Sequence, residues 1–182
     1  VVAEILRPGP RMALAGTGPL KTWMEKEISR RKLGKRVNML GLVGSVAMPG
    51  LLNRARVFVL SSRTEGMSMS LLEAMSCGSV PVVSDVGGNR EVVRSGRDGF
   101  VVPADDPEEI ARAVSKILSD EKAYLKMSKS ARQRVVNMGR PTVFLKGGQN
   151  DLLIFRRLTK TFHQHAAKPQ LAARDFADLV SA

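Results

Sequence analysis

Short apolar runs alternate with amphipathic stretches along residues 11–137. The apolar runs are continuous, which is typical of strands buried on both faces of a sheet. Between them, apolar residues recur at helical spacing, and glycine, proline, serine and aspartate mark the turns. The pattern predicts strands at Arg11–Ala15, Val37–Val43, Val57–Leu60, Val80–Ser84 and Gly99–Pro103, and helices at Ala47–Ala55, at Met69–Cys77, and from Asp106 and Glu121 onward.

This order of elements predicts an α/β fold built on a doubly wound, Rossmann-like parallel sheet. Asp106 and Pro107 suit the cap and first position of a helix. In the stretch after Pro19, Leu20, Trp23 and Ile28 recur at helical spacing, so we expect Trp23 to lie in the core.

The pattern weakens after residue 138. Thr142–Leu145 resembles a short strand, and Asp151–Phe162 resembles an amphipathic helix. We therefore predict a domain at residues 1–138 and a basic carboxyl-terminal extension at residues 139–182. The chain opens within a helix-like stretch and without an initiator Met, so we expect it to be a piece of a longer protein.

The charge of the chain favours an anionic partner. The net charge is +12, and residues 121–182 carry 12 basic and 4 acidic residues. A diphosphate ligand, an acidic membrane surface or a nucleic acid would fit, and so would a solvated basic face with no partner. Aromatic residues make up only 4% of the chain and no RNA-binding motif is present, so a nucleic-acid partner is disfavoured.

The remaining composition narrows the class of protein. Cys77 is the single cysteine, which excludes an internal disulfide and favours a buried structural thiol. His163 and His165 have no acidic or thiol partner nearby in sequence, so we expect no metal site. No apolar run reaches the length of a membrane span. We expect a cytoplasmic protein, with peripheral membrane association left open.

The most informative stretch lies where the strand Val57–Leu60 passes into the helix Met69–Cys77. The free N–H groups of a first helical turn favour bound phosphate, and ligands of open α/β sheets sit at this edge. Glu65 and Glu73 flank the crossing, and carboxylates there accept hydrogen bonds from sugar hydroxyls. Gly66 permits the turn. The stretch therefore outlines a nucleotide-sugar pocket.

Several motifs together resemble the carboxyl-terminal, donor-binding half of the retaining GT-B glycosyltransferases of family 4. The resemblance covers residues 11–137. It is carried by Ala15-Gly16-Thr17-Gly18-Pro19-Leu20, Leu40-Gly41, Leu60-Ser61-Ser62, Glu65-Gly66 with Glu73-Ala74-Met75, Gly78 with Pro81-Val82-Val83, Gly87-Gly88, Glu91-Val92-Val93, and Gly96 with Gly99-Phe100-Val101-Val102. Two residues separate Gly78 from Pro81, where one is common in the family.

The resemblance implies a role for each matching position. Glu65 would be catalytic and contact the donor sugar, while the backbone of Gly66, Met67, Ser68 and Met69 would cradle the diphosphate. Glu73 would bind the ribose, and Gly16, Val43 and Gly44 would flank the nucleoside. The implied reaction retains anomeric configuration and needs no cofactor or metal. It also implies a partner, an amino-terminal acceptor domain, which this sequence lacks.

Other interpretations of the same residues stay open. Ser70 and Glu73 have the spacing of a capping box, and Glu65 could pair with Arg63. The chain could bind a nucleotide sugar without transferring it, or be a basic nucleic-acid-binding module. A dinucleotide oxidoreductase is disfavoured, because the glycine pattern after the first strand lacks its third glycine.

The resemblance also predicts a gap in the sheet. The family's strand order is 3-2-1-4-5-6, and strand 1, with an Arg and a Lys that hold the diphosphate, is not found upstream of Arg11. A segment missing upstream is the favoured filler. Direct pairing of the flanking strands and insertion of the carboxyl-terminal segment are the alternatives. In the last case Thr142–Leu145 would be the strand, and Lys146 would lie near the diphosphate.

Overall fold

The computed structural model describes residues 9–138 and the backbone of residues 150–156. The described strands form one six-stranded sheet in the order β2-β1-β6-β3-β4-β5, with every neighbouring pair parallel. The strands are β1 Arg11–Ala15, β2 Val37–Gly41, β3 Ala55–Leu60, β4 Val80–Ser84, β5 Phe100–Val102 and β6 Asn150–Arg156.

Helices connect the strands from β1 to β5, and two more follow β5. They are α1 Lys21–Arg30, α2 Met48–Arg54, α3 Met69–Ser76, α4 Asn89–Val92, α5 Pro107–Ser119 and α6 Glu121–Asn137. The predicted cap of α5 is confirmed, because the Asp106 carboxylate accepts hydrogen bonds from the N–H groups of Glu108 and Glu109 at 3.1 and 2.9 Å. None of the helices in residues 9–138 is long and apolar enough to cross a membrane.

Two apolar layers cover the sheet, one on each face. On β3, Phe58 and Leu60 join residues of α2, α3 and α6 in one cluster, whereas Val57 and Val59 join residues of α5 in the other. Successive side chains of a strand point to opposite faces, so a strand covered on both sides must be apolar throughout. The predicted doubly wound α/β fold is confirmed.

Strand β6 fills the predicted gap between β1 and β3. Its register pairs Leu153 with Met12 on one side and with Val57 on the other. An open gap would leave buried N–H and C=O groups of both neighbours without partners, which is costly. The order agrees with insertion of the carboxyl-terminal segment rather than with the favoured upstream filler.

The details of that insertion differ from the prediction. The helix expected at Asp151–Phe162 is wrong over residues 151–156, which are strand, and its remainder lies outside the described residues. Thr142–Leu145 and Lys146 lie outside the described residues as well. Because β6 runs parallel to β1, its first residue, Asn150, lies at the edge of the sheet where the strands begin. The diphosphate is expected at the other edge, where the strands end. The reason for placing Lys146 near the diphosphate, that it follows the inserted strand, therefore does not hold.

The expected core position of Trp23 is also wrong. Its side chain lies on α1 and is 59% exposed, and α1 contains no buried residue. This helix connects β1 with β2, which is the outermost strand on its side of the sheet. An outer helix has less sheet beneath it to cover its apolar stripe. Within the same apolar stripe, Ile28 is half-buried and packs against the cluster on the α5 face.

Candidate functional site

The candidate site lies at the edge of the sheet where the parallel strands end, called here the carboxyl edge. Gly16 follows β1, Val43 and Gly44 follow β2, and the segment 65–69 joins β3 to α3. Since all these strands are parallel, the loops after them lie at one edge. The structure thus brings most of the sequence-predicted residues to the same side of the molecule, with Glu73 one turn into α3.

Gly16 joins the ends of β1 and β2. Its N–H donates a hydrogen bond to the carbonyl of Gly41 at 2.6 Å, and its φ of 137° suits glycine. In the next loop, the carbonyl of Gly44 accepts hydrogen bonds from Ala47 and Met48 at 3.1 and 3.0 Å, forming the turn into α2. Val43 is half-buried and packs against the core cluster beneath α2 and α3.

Glu65 is half-buried and its carboxylate is held in place. The hydroxyl of Ser62, which is only 8% exposed, donates a hydrogen bond of 2.6 Å to Oε1 of Glu65. The alternative pairing of Glu65 with Arg63 is wrong, because Nε of Arg63 donates instead to Asp105 at 2.9 Å. Hydrogen bonding to Asp105 raises the pKa of Arg63 above its ordinary value. A carboxylate fixed by one hydroxyl keeps further lone pairs for a ligand.

The segment 66–69 leads into the amino end of α3. Ser68 has an extended backbone (φ −78°, ψ 109°) and is 2% exposed, and its hydroxyl lies 2.9 Å from the hydroxyl of Ser70. Within the described residues, the Ser68 side chain does not cap the helix. The first N–H groups of a helix have no partner inside it and carry its positive dipole end. Met67 and Met69 are exposed beside these groups.

Glu73 lies in the second turn of α3 and is exposed. The capping-box interpretation is not supported, because α3 begins at Met69 and Ser70 is already inside the helix, whereas a capping box requires Ser70 at the cap. The hydroxyl of Ser76 donates to the carbonyl of Glu73 at 2.7 Å. The backbone of Glu73 thus belongs to regular helix, with its side chain on the outside.

Cys77 ends α3 and is half-buried rather than fully buried. Burial is the main influence on its thiol and raises the pKa above the ordinary value of 9.0. At neutral pH the thiol is therefore protonated and a poor nucleophile. This agrees with a structural residue.

Sequence reasoning missed the supports of Glu65. Ser84, at the end of β4, donates a hydrogen bond of 2.5 Å to the carbonyl of Ser62, and Asn89 donates one of 2.9 Å to the carbonyl of Ser84. Gly87 and Gly88 lie directly against the backbone of residues 65 and 66. Ser62 and the glycine pair stood within the recognised motifs and Ser84 ended a predicted strand, but their spacing in sequence does not show which loop each one contacts.

Two curated proteins are similar to this chain over more than two thirds of its length. An alpha-D-kanosaminyltransferase of Streptomyces kanamyceticus is 32% identical over 131 residues, which are 71% of this chain and 34% of that protein. The UDP-Gal:alpha-D-GlcNAc-diphosphoundecaprenol alpha-1,3-galactosyltransferase of Escherichia coli is 31% identical over 138 residues, 75% of this chain and 35% of that protein. The chain thus spans about a third of the length of these relatives.

A solved structure agrees with the fold. The sucrose-phosphate synthase of Thermosynechococcus elongatus matches 75% of this chain and 36% of its own, with a TM-score of 0.67 and 27% sequence identity. Residues 1–134, which are well over half of the chain, match the family model described as Glycosyl transferases group 1. The chain therefore belongs to the glycosyl transferases group 1 family.

Proposed function

We propose that this chain is the donor-binding, carboxyl-terminal half of a retaining GT-B glycosyltransferase of family 4. Joined to an acceptor domain, it transfers a hexosyl-type sugar from a nucleotide-diphosphate sugar to an acceptor. The observation that carries the proposal is the fixed carboxylate of Glu65 next to the amino end of α3, at the carboxyl edge of the sheet. The similar E. coli protein, which is named for a UDP-Gal donor, adds support.

The proposed binding follows from charge. The N–H groups of Gly66 to Met69 and the positive end of α3 face the diphosphate, while Glu65 accepts hydrogen bonds from the sugar hydroxyls. Glu73 accepts hydrogen bonds from the ribose. Gly16 and the turn at Val43–Gly44 flank the nucleoside, which needs no charged partner.

The proposed reaction is acceptor attack on the face from which the diphosphate leaves. The bond between the anomeric carbon and the diphosphate oxygen breaks, and its electron pair stays on the diphosphate. The acceptor oxygen forms the new bond on the same face, and its proton passes to the departing diphosphate, so configuration is retained. The fixed N–H dipoles stabilise the growing negative charge without reorganisation. Glu65 stabilises the positive character of the sugar, and the proposal requires neither a metal ion nor a cofactor.

A second candidate keeps the binding site and omits the reaction. The chain spans about a third of the length of its curated relatives, so it could bind a nucleotide sugar without an acceptor held beside it. Catalysis needs the acceptor at bonding distance from the donor, and the proposed acceptor domain supplies that contact. A cytoplasmic location and peripheral membrane association stay predictions.

Calorimetry on the purified chain tests the proposal. UDP, GDP and ADP, their glucose or mannose conjugates, and single-stranded DNA are titrated separately. We expect Glu73→Ala to weaken binding of the diphosphate nucleotide by about 1–3 kcal/mol, the scale of a lost charged hydrogen bond. Glu65→Ala should weaken the sugar nucleotide more than the free diphosphate, because only the former brings hydroxyls to Glu65.

Glu108→Ala is the matched control. It also removes one exposed carboxylate, but Glu108 lies on α5, outside the segments after β1, β2 and β3 that carry the candidate site. Equal losses for both ligands in the Glu65 variant would remove its sugar-contacting role. Salt-steep DNA binding without nucleotide binding would instead favour the nucleic-acid-binding module.

A further inference from the structure

The loop that follows β4 meets the loop of Glu65 backbone to backbone. Gly87 has a φ of +52°, and a Cβ atom at this position would lie 1.8 Å from the carbonyl oxygen of Glu65 and 2.7 Å from its carbonyl carbon. Both distances are shorter than the 3.0 Å below which real Cβ atoms essentially never approach. The atoms in contact belong to the main chain, so a larger residue must displace the peptide of Glu65 itself.

Gly88 contacts the next peptide of the same loop. Its N–H donates a hydrogen bond of 3.3 Å to the carbonyl of Gly66, and a Cβ atom on Gly88 would lie 3.3 Å from that oxygen. Gly88 has an ordinary φ of −77°. The glycine pair therefore contacts two successive carbonyls, those of Glu65 and Gly66, with a tighter fit at the first.

The same part of the chain also supports the Glu65 side chain. The hydroxyl of Ser84, at the end of β4, donates a hydrogen bond to the carbonyl of Ser62. The hydroxyl of Ser62 in turn donates one to the carboxylate of Glu65. Asn89, the first residue of α4, is 1% exposed and holds the carbonyl of Ser84. Main chain and side chain of Glu65 are thus both fixed from β4 and the turn that follows it.

We propose that Gly87 is a positioning residue for Glu65. The inference rests on the proposed function, because it assigns to Gly87 the task of setting where the Glu65 carboxylate meets the donor sugar. Gly87 touches no substrate and acts through the peptide of Glu65. An added Cβ atom at residue 87 overlaps the Glu65 carbonyl. A shift of the Glu65 peptide smaller than this overlap moves the carboxylate away from the sugar hydroxyls and leaves α3 in place.

The chain offers a graded set of controls. Gly96 also has a positive φ, +79°, but a Cβ atom there would have nothing within 4 Å. Gly96→Ala therefore imposes the same kind of backbone strain as Gly87→Ala without pushing on any neighbour. Gly88→Ala is expected to have an intermediate effect, because its added Cβ atom makes a tight contact but its φ is ordinary.

The experiment compares the affinities of the full chain and its variants for UDP-glucose, GDP-mannose and ADP-glucose, and for the free diphosphates. Losing a hydrogen bond to a charged group costs about tenfold to a hundredfold in affinity. We expect Gly87→Ala to weaken binding of the sugar nucleotide at least about tenfold and binding of the free diphosphate less than about threefold. Gly96→Ala should change both by less than about threefold, and Gly88→Ala should fall between the two.

A double-variant cycle separates positioning from a general structural effect. If Gly87 acts through the Glu65 carboxylate, the double variant should bind the sugar nucleotide less than about threefold more weakly than Glu65→Ala alone. Amide chemical shifts give a readout that needs no ligand. Those of Glu65 and Gly66 should move in Gly87→Ala and stay in place in Gly96→Ala.

The outcomes are distinct. Equal effects of Gly87→Ala and Gly96→Ala, or full additivity with Glu65→Ala, would overturn the inference while the proposed function stands. If the wild-type chain binds none of the probes, the proposed function fails. If the amide shifts of residues 65 and 66 do not move in Gly87→Ala, the positioning contact is refuted as well. Should Gly87→Ala not fold by circular dichroism, the milder Gly88→Ala decides by the same ligand comparison.

Discussion

Removal of the Asp98 carboxylate gives a sharp test of what fixes α6 to the sheet. Asp98 lies in the tight turn before β5 and is 0% exposed. Arg94 donates to it from Nε at 2.6 Å and from its terminal nitrogen at 2.8 Å, and the hydroxyl of Ser130 on α6 donates at 2.7 Å. One buried carboxylate therefore joins the turn after α4 to α6.

The magnitude follows from these contacts. Removing one member of a buried pair costs about 3–5 kcal/mol, and a hydrogen bond to a charged group contributes about 1.5–3 kcal/mol. The Arg94 side chain is 39% exposed, so water partly replaces the lost carboxylate and the lower values apply. We expect Asp98→Ala to reduce the free energy of unfolding by about 2–4 kcal/mol, which for a chain of this size lowers Tm by roughly 5–15 °C.

The dependence on pH identifies the carboxylate as the cause. Burial raises the pKa of Asp98, but hydrogen bonds from Arg94 and Ser130 outweigh it, so the pKa lies below its ordinary value of 3.8. A lowered folded-state pKa means that the stabilisation is complete above the unfolded-state value. It is lost as pH falls through the folded-state value. The difference between wild type and Asp98→Ala should be constant from about pH 5 to 7 and shrink below about pH 4.

Urea denaturation at several pH values measures both effects, with Glu25→Ala as the control. Glu25 also pairs with a cation, Lys21, at 3.7 Å, but both side chains are 49% exposed, so its removal should cost less than about 0.5 kcal/mol. If Asp98→Ala costs no more than Glu25→Ala, the buried pair contributes nothing net. A difference that stays the same at low pH would show that packing, not charge, explains the loss.

Further predictions concern the sheet, the surface, the thiol and catalysis. A chain ending at Met138 should lose cooperative unfolding in urea, because β1 and β3 lose the strand between them; an unchanged midpoint and slope would contradict the central role of β6. Trp23→Ser should change the free energy of unfolding by less than about 0.5 kcal/mol, whereas Phe58→Ala, at a residue 1% exposed, should cost about 3–5 kcal/mol; similar losses for both would refute the exposed position of Trp23. Cys77 should react slowly with a thiol reagent at pH 7 and faster once unfolded, since burial raises its pKa; equal rates would show that the thiol is accessible in the fold. The purified chain should show little or no transfer of radiolabelled sugar without an acceptor domain, and robust turnover would argue that it binds acceptor by itself.

Much of the fold could be predicted because its determinants are local. Val57, Phe58, Val59 and Leu60 are all apolar, which indicates a strand covered on both faces, and the structure divides them between two clusters. Asp106 caps α5 because its side chain reaches N–H groups only two and three residues away. The start of α3 and the loop before it could also be predicted, because their determinants are local in sequence. This prediction put Glu65 and Ser68 at the carboxyl edge.

Local patterns could not decide how the outer and inserted elements pack. The apolar stripe of α1 indicated a helix but not how much of the sheet lay beneath it, and Trp23 is exposed because α1 connects the two strands at one end of the sheet. The contact of Gly87 with the Glu65 carbonyl joins loops that follow neighbouring strands. Their separation in sequence hides a contact that only strand pairing creates.

The sequence alone thus determined the alternation of strands and helices, the two-sided burial of the sheet, and the stretch that carries the candidate site. The tertiary structure decided which segment completes the centre of the sheet. The apolar run Leu152–Phe155 is short enough to suit a strand or a helix, so its pattern is ambiguous. The facing edges of β1 and β3 resolve the ambiguity, because an extended segment between them pairs backbone groups on both sides, and a helix would leave those groups unpaired.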